Sequence, residues 1–173
     1  QPMVWLVLYG QLFKNVTRLG GFGTGSYVTF LAPAIVVMNA FFGANGYAVY
    51  DRSAIPEDTI HHANIWGVAD EDLYTLALQR FDAAAAEGKP FFAHIMTTSN
   101  HRPYTFPEHR GPWPQGKRNS AVSYTDWAIG DFIRRARAKA WFADTIFVVT
   151  ADHCASSGGI AALPTFRYRI PLW

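Results

Sequence analysis

The sequence predicts an α/β fold, a mostly parallel central sheet flanked by helices. Apolar runs recur at residues 4–9 (VWLVLY), 91–96 (FFAHIM) and 145–151 (TIFVVTA), as strands buried on both faces do. Helical periodicity lies between the first and second runs and again between the second and third. The order strand, helix, strand, helix, strand is that of parallel strands joined by helical crossovers.

In chain order, the first run closes at Gly10. Residues 19–26 (LGGFGTGS) are rich in glycine, but no Gly-Lys-Ser/Thr follows and the GxGxxG spacing is absent, so a flexible linker is expected and nucleotide binding is rejected. Residues 27–38 (YVTFLAPAIVVM) are apolar. The run is shorter than the roughly 20 residues a membrane-spanning helix needs, and Pro33 interrupts it, so it reads as a buried segment. Residues 41–46 read as a helix end and turn, and 47–50 as a short strand leading into a loop with Pro56.

From Asp70 the pattern is helical. Asp70, Glu71 and Asp72 suit the positive N-terminal end, Leu73, Leu76, Ala77, Phe81 and Ala84 share a face, and Gly88-Lys-Pro90 stops the helix. After the second strand and a loop rich in Pro, Gly and charge at 108–117, Asn119 or Ser120 is expected to cap a helix reaching about residue 139. Its apolar face is Ala121, Tyr124, Ala128 and Phe132, with Ile129, Ile133 and Ala136 beside them. Arg134, Arg135, Arg137 and Lys139 suit its negative end. The third strand then runs to Ala151.

With 173 residues, 50% hydrophobic and 16% charged, the chain can bury a sizeable core and is not of disordered composition. A net charge of +2 falls well short of the clustered basic excess that neutralises many phosphates, so no nucleic-acid partner is expected. The single cysteine, Cys154, excludes an internal disulfide framework and leaves the compartment open. The apolar start lacks a basic leader region, and residues 169–173 (RIPLW) stop without a turn or cap. The expectation is therefore a portion of a longer polypeptide, of unspecified oligomeric state.

Two polar clusters follow strands. Asp152 and His153 place a carboxylate and an imidazole at a strand end, a donor pair suited to zinc or manganese. A capping Asp beside a hydrogen-bonded His is the alternative. Residues 97–102 offer Thr97, Thr98, Ser99, Asn100, His101 and Arg102, donors suited to phosphate or sulfate oxygens, or else a polar turn ended by Pro103. In a parallel sheet both clusters fall on one edge, where they can face a common crevice. Thr98 and Ser99 have no local activating base. His94 reads as a core histidine, His61, His62 and His109 as loop residues, and Cys154 as a small buried thiol.

Segments 92–107 (FAHIMTTSNHRPYTFP), 124–133 (YTDWAIGDFI) and 148–156 (VVTADHCAS), with 45–52 (NGYAVYDR) and 64–72 (NIWGVADED), resemble the lipoteichoic acid synthase-like branch of the sulfatase and alkaline phosphatase superfamily. The resemblance covers most of residues 38–173, and its motifs are specific when taken together. It implies an α/β sandwich of alkaline phosphatase/sulfatase type, incomplete here, so that residues 1–173 form a partial catalytic domain with an atypical segment at 11–37. It also implies that Asp152 and His153 ligate a divalent ion, manganese or zinc first and magnesium or calcium second. His101 would contact the phosphate, beside Asn100 and Arg102.

Members of this family act on phosphate or sulfate esters, some lipid-linked, on the extracytoplasmic face of the bacterial membrane, to which N-terminal helices anchor them. Their nucleophile and remaining acidic ligand belong to a region that no segment of this chain resembles. The expected function is thus that of the C-terminal part of a metal-dependent, phosphoglycerol transferase-like enzyme, inactive alone. A non-catalytic metal- or anion-binding remnant of the same fold is the alternative.

Overall fold

The computed structural model describes residues 42–152 and 170–173. The chain divides into two units, residues 1–56 and 57–173. In the first, residues 42–46 form the expected helix end and turn: Asn45 N donates to Phe42 O at 3.1 Å and Gly46 N to Gly43 O at 3.1 Å. Gly46 sits at φ +81°, where a side chain would be strained. Residues 47–50, expected as a strand, form no sheet pairing with other described residues. Asp51 caps the short turn Arg52–Ala54 by accepting from Ser53 N and Oγ at 2.9 and 2.6 Å. These bonds hold its carboxyl below the usual carboxylate range.

The second unit is built on two helices packed against each other, α1 (Asp70–Ala86) and α2 (Arg118–Ala136). Helix α1 ends where Gly88 takes φ +69°, as the Gly-Lys-Pro signal predicts. Its buried face includes Leu76 and Ala77 but is centred on Tyr74 and Leu78. Helix α2 buries Ala121, Tyr124, Ala128, Phe132 and Ala136, the expected stripe.

Aromatic rings join the layers. Tyr74 stacks on Phe132 at 4.7 Å, and Tyr124 stacks on Phe106, from the loop before α2, at 4.9 Å. Phe106 is only 1% exposed, and its backbone is satisfied by the Gln115 amide, which accepts from Phe106 N at 3.1 Å and donates to Phe106 O at 2.8 Å. That amide does the work of a neighbouring strand.

A parallel central sheet is absent from the described residues. Their only sheet is an antiparallel pair, β1 (Ala63–Asn64) and β2 (Gly67–Val68), with Ala63 opposite Val68 and Asn64 opposite Gly67. Residues 91–96 form no ladder with other described residues. At the end of the third run, Val149 exchanges backbone bonds with Trp173 at 3.0 Å each way, with Thr150 antiparallel to Leu172. Residues 4–9 and the atypical segment 11–37 lie outside the described residues.

The physical reason is coverage. Phe91, Ile95 and Phe147 pack towards the helical core, while Phe92, His94, Met96, Ile146, Val148 and Thr150 are exposed, Ile146 to 90%. Runs expected to be buried on both faces are here covered on one, and among the described residues that cover is helical, which supplies no ladder of backbone partners. His94, expected in the core, is on the exposed side.

Candidate functional site

The first turn of α1 is the structural centre of the site. Its three acids favour the positive helix end, yet all three are buried, and each fastens a different segment. Asp70, 0% exposed, accepts from Thr98 N at 3.1 Å and Ser99 N at 3.0 Å through one oxygen, and from Thr125 Oγ1 at 3.0 Å through the other. Ser99 Oγ reciprocates by accepting from Asp70 N at 3.2 Å. Asp70 thus ties the His101 loop to both helices.

Glu71 receives Arg110 in a two-point pair, Nε at 2.7 Å and Nη2 at 3.1 Å. The guanidinium also lies over the Trp127 ring, 5.3 Å from its centroid. Glu71 in turn pushes Arg110 above its ordinary pKa. Asp72 accepts from His61 N at 3.0 Å and His62 N at 3.4 Å, and pairs with His61 Nδ1 at 2.5 Å. Tyr124 completes the group: its hydroxyl accepts from Glu71 N at 3.4 Å, and burial, with Glu71 nearby, raises its phenol well above the ordinary value.

His61, Glu71 and Asp72 bring ligand atoms within 4.8 Å of one another, the one such group among the described residues. This donor set is of the right type for a divalent metal. However, both Glu71 oxygens are taken by Arg110 and both Asp72 oxygens by His61 and His62. A metal there would compete with the part-buried Glu71–Arg110 pair and the His61–Asp72 contact, and in this structure the group acts as a clasp at the start of α1. An open cleft of about 580 Å³ lies alongside, lined by His61, His62, His109 and Arg110 among others.

The loop with Asn100, His101 and Arg102, all three exposed, follows the Thr98 and Ser99 amides held by Asp70. Its backbone is a pair of turns, with His101 N donating to Thr98 O at 3.0 Å and Tyr104 N to His101 O at 2.8 Å. His101 Nδ1 meets the Arg102 carbonyl at 3.0 Å. A carbonyl can only accept, so Nδ1 carries the proton, and Nε2 is left to accept or, once protonated, to donate. The Trp66 ring lies against His101 with centroids 4.1 Å apart. Thr98 Oγ1 donates to Val68 O at 3.3 Å, and Ser99 is committed to Asp70, so both hydroxyls serve the fold.

Asp152 is exposed, two residues beyond the Thr150 pairing, while His153 and Cys154 lie outside the described residues. The structure therefore joins Asn100, His101 and Arg102 in one loop and gives no geometry for the proposed metal pair. Sequence reasoning missed the roles of Asp70, His61 and Trp66. Three successive acids at a helix start exceed what the helix dipole needs, and that excess was the available signal.

Residues 36–172 match the sulfatase family. The chain belongs to the sulfatase family. Among its relatives, phosphoglycerol transferase I of Salmonella choleraesuis (strain SC-B67) and that of Escherichia coli O157:H7 (strain EC4115 / EHEC) are each 28% identical over 156 residues, covering 86% of this chain and 20% of the relative. A crystal structure of a protein in the alkaline phosphatase superfamily from Vibrio parahaemolyticus superposes with a TM-score of 0.63 at 36% identity, over 70% of this chain and 30% of that one. The sulfatase-family chain thus spans about a fifth of the length of the curated relatives it matches. Its fold is the α/β fold of the alkaline phosphatase superfamily. Among the described residues no helix is long and apolar enough to cross a membrane.

Proposed function

We propose that this chain is part of a sulfatase-type enzyme that cleaves or transfers phosphate or sulfate ester groups, in the manner of a phosphoglycerol transferase. The observation that carries the reading is the family match over residues 36–172, which takes in both the His101 loop and Asp152-His153. In this reading residues 1–173 form part of one catalytic domain, with 11–37 an atypical segment. The whole enzyme is membrane-anchored, works on the extracytoplasmic face and takes a phosphate or sulfate ester substrate, lipid-linked or free.

Asp152 and His153 would hold the metal, manganese or zinc before magnesium or calcium. A hard carboxylate oxygen with a neutral imidazole nitrogen fits such an ion. When bound, the metal supplies charge to a nucleophile and to the transferring group. His101, its Nδ1 proton committed to Arg102 O, presents Nε2 to an anionic oxygen, with Asn100 and Arg102 beside it as further donors. No residue matches the family's nucleophile, so the isolated chain binds and orients without turning over substrate.

Titration calorimetry with manganese and zinc tests the ligand assignment. Stoichiometric binding is expected, weakened at least tenfold by Asp152→Ala or His153→Ala and unchanged by Glu71→Gln. Binding that survives both first substitutions, or its absence, would favour a remnant of the fold. Aryl phosphate or aryl sulfate hydrolysis by the purified chain, abolished by Asp152→Ala, would refute the assignment of inactivity.

A further inference from the structure

We propose that Trp66 is a positioning residue for His101, holding the imidazole in the tautomer and orientation in which Nε2 meets an anionic oxygen. The proposal rests on the reading of His101 as an anion contact and adds the residue that sets its geometry. Three observations carry it.

The indole and imidazole centroids are 4.1 Å apart at an interplanar angle of 51°, direct contact between two rings, and such contact restricts ring rotation. His101 Nδ1 is already tied to Arg102 O at 3.0 Å. A ring held at one nitrogen and one face has its other nitrogen aimed, as the partner of a working histidine generally does.

Trp66 is itself fixed by the hairpin that carries it. Its backbone N–H donates to Asn64 Oδ1 at 2.8 Å, and Asn64 Nδ2 donates to Thr105 Oγ1 at 3.2 Å, beyond His101 in the chain. On the near side, Gly67 takes φ +152°, a conformation that favours glycine, and lies in van der Waals range of Thr98. Thr98 in turn bonds Val68 O. The β1–β2 hairpin therefore grips the His101 loop at residues 98 and 105 and lays its tryptophan against the ring between them. With β strands only two residues long, this pair is too short to be a stable sheet in its own right, and delivery of Trp66 gives it a purpose.

The test is nitrogen-detected NMR of the histidine rings in the full chain, with inorganic phosphate as probe. In the unsubstituted chain the His101 ring is expected to show the Nδ1–H tautomer, ring protons shifted upfield by the indole, and a response at Nε2 to phosphate. Trp66→Ala is expected to abolish the upfield shift, mix the tautomers and raise the phosphate Kd by about 2- to 10-fold, the change to which an aromatic contact of roughly 0.5–1.5 kcal/mol converts. Trp66→Phe should restore the tautomer and bring Kd within about twofold, whereas Trp66→Leu, which supplies bulk without a ring face, should do neither.

Should Trp66→Ala lose the dispersed core signals of Tyr74 and Phe132, Trp66→Leu, apolar but without a ring face, replaces it under the same criteria. An unchanged tautomer and Kd in the ring-less variant overturns the proposal. Histidine signals in the unsubstituted chain that ignore phosphate overturn the anion reading instead, and the tautomer criterion then decides the positioning role alone.

Discussion

Asp70 is the residue on which the site depends most. It is 0% exposed and accepts three hydrogen bonds from two segments far apart in sequence. Removing one partner of a buried network leaves the others unsatisfied, which is more damaging than the mean value of a hydrogen bond suggests. Asp70→Ala is therefore expected to lower unfolding stability by about 3 kcal/mol, read as a fall in the urea midpoint. Local sequence showed Asp70 only as a favourable helix start. Its true partners are 28 and 55 positions away, and no local pattern encodes them. By contrast, Asn100, His101 and Arg102 were legible as a cluster because their chemistry is contiguous in the chain.

At the scale of elements, the two helices and the loop before α2 behave differently towards added volume. Gly111 has extended backbone, yet a Cβ there would lie 2.8 Å from the Trp113 ring, which itself packs edge-on against Phe106. Gly130, inside α2, has nothing within 4 Å. The same substitution should thus have opposite signs: Gly111→Ala destabilising by about 1–3 kcal/mol through overpacking, Gly130→Ala stabilising by about 0.5–1 kcal/mol through helix propensity. Thermal or urea unfolding of the two variants checks both. The helices were legible because 3.6-residue periodicity and terminal signals are local. The pairing of the apolar runs is not legible in the same way, since a strand is defined by its neighbours, and among the described residues Phe91, Ile95 and Phe147 meet the helical layer.

For the molecule as a whole, the link between α1 and the segment after α2 is electrostatic as well as apolar. Lys139 Nζ and Trp141 Nε1 both donate to Asp82, at 2.6 and 2.9 Å, and the Lys139 bond first, then the Trp141 bond, depress its carboxyl below the ordinary value. A depressed folded value means that this contribution is present above the unfolded pKa of about 3.9 and is lost as pH falls through the folded value. Asp82→Asn should lower the urea midpoint at pH 7 by a small margin, as befits a partly exposed pair. That margin should close below about pH 4, whereas a gap persisting at pH 2 would refute the linkage.

By itself the sequence determined the helices, the polar clusters and the family, because periodicity, capping and contiguous motifs are properties of neighbouring residues. Only the tertiary structure decided that the helix-start acids are buried clasps, that Trp66 lies on His101, and that Phe91, Ile95 and Phe147 meet the helical core. Each of those depends on desolvation and on contacts between segments distant in the chain.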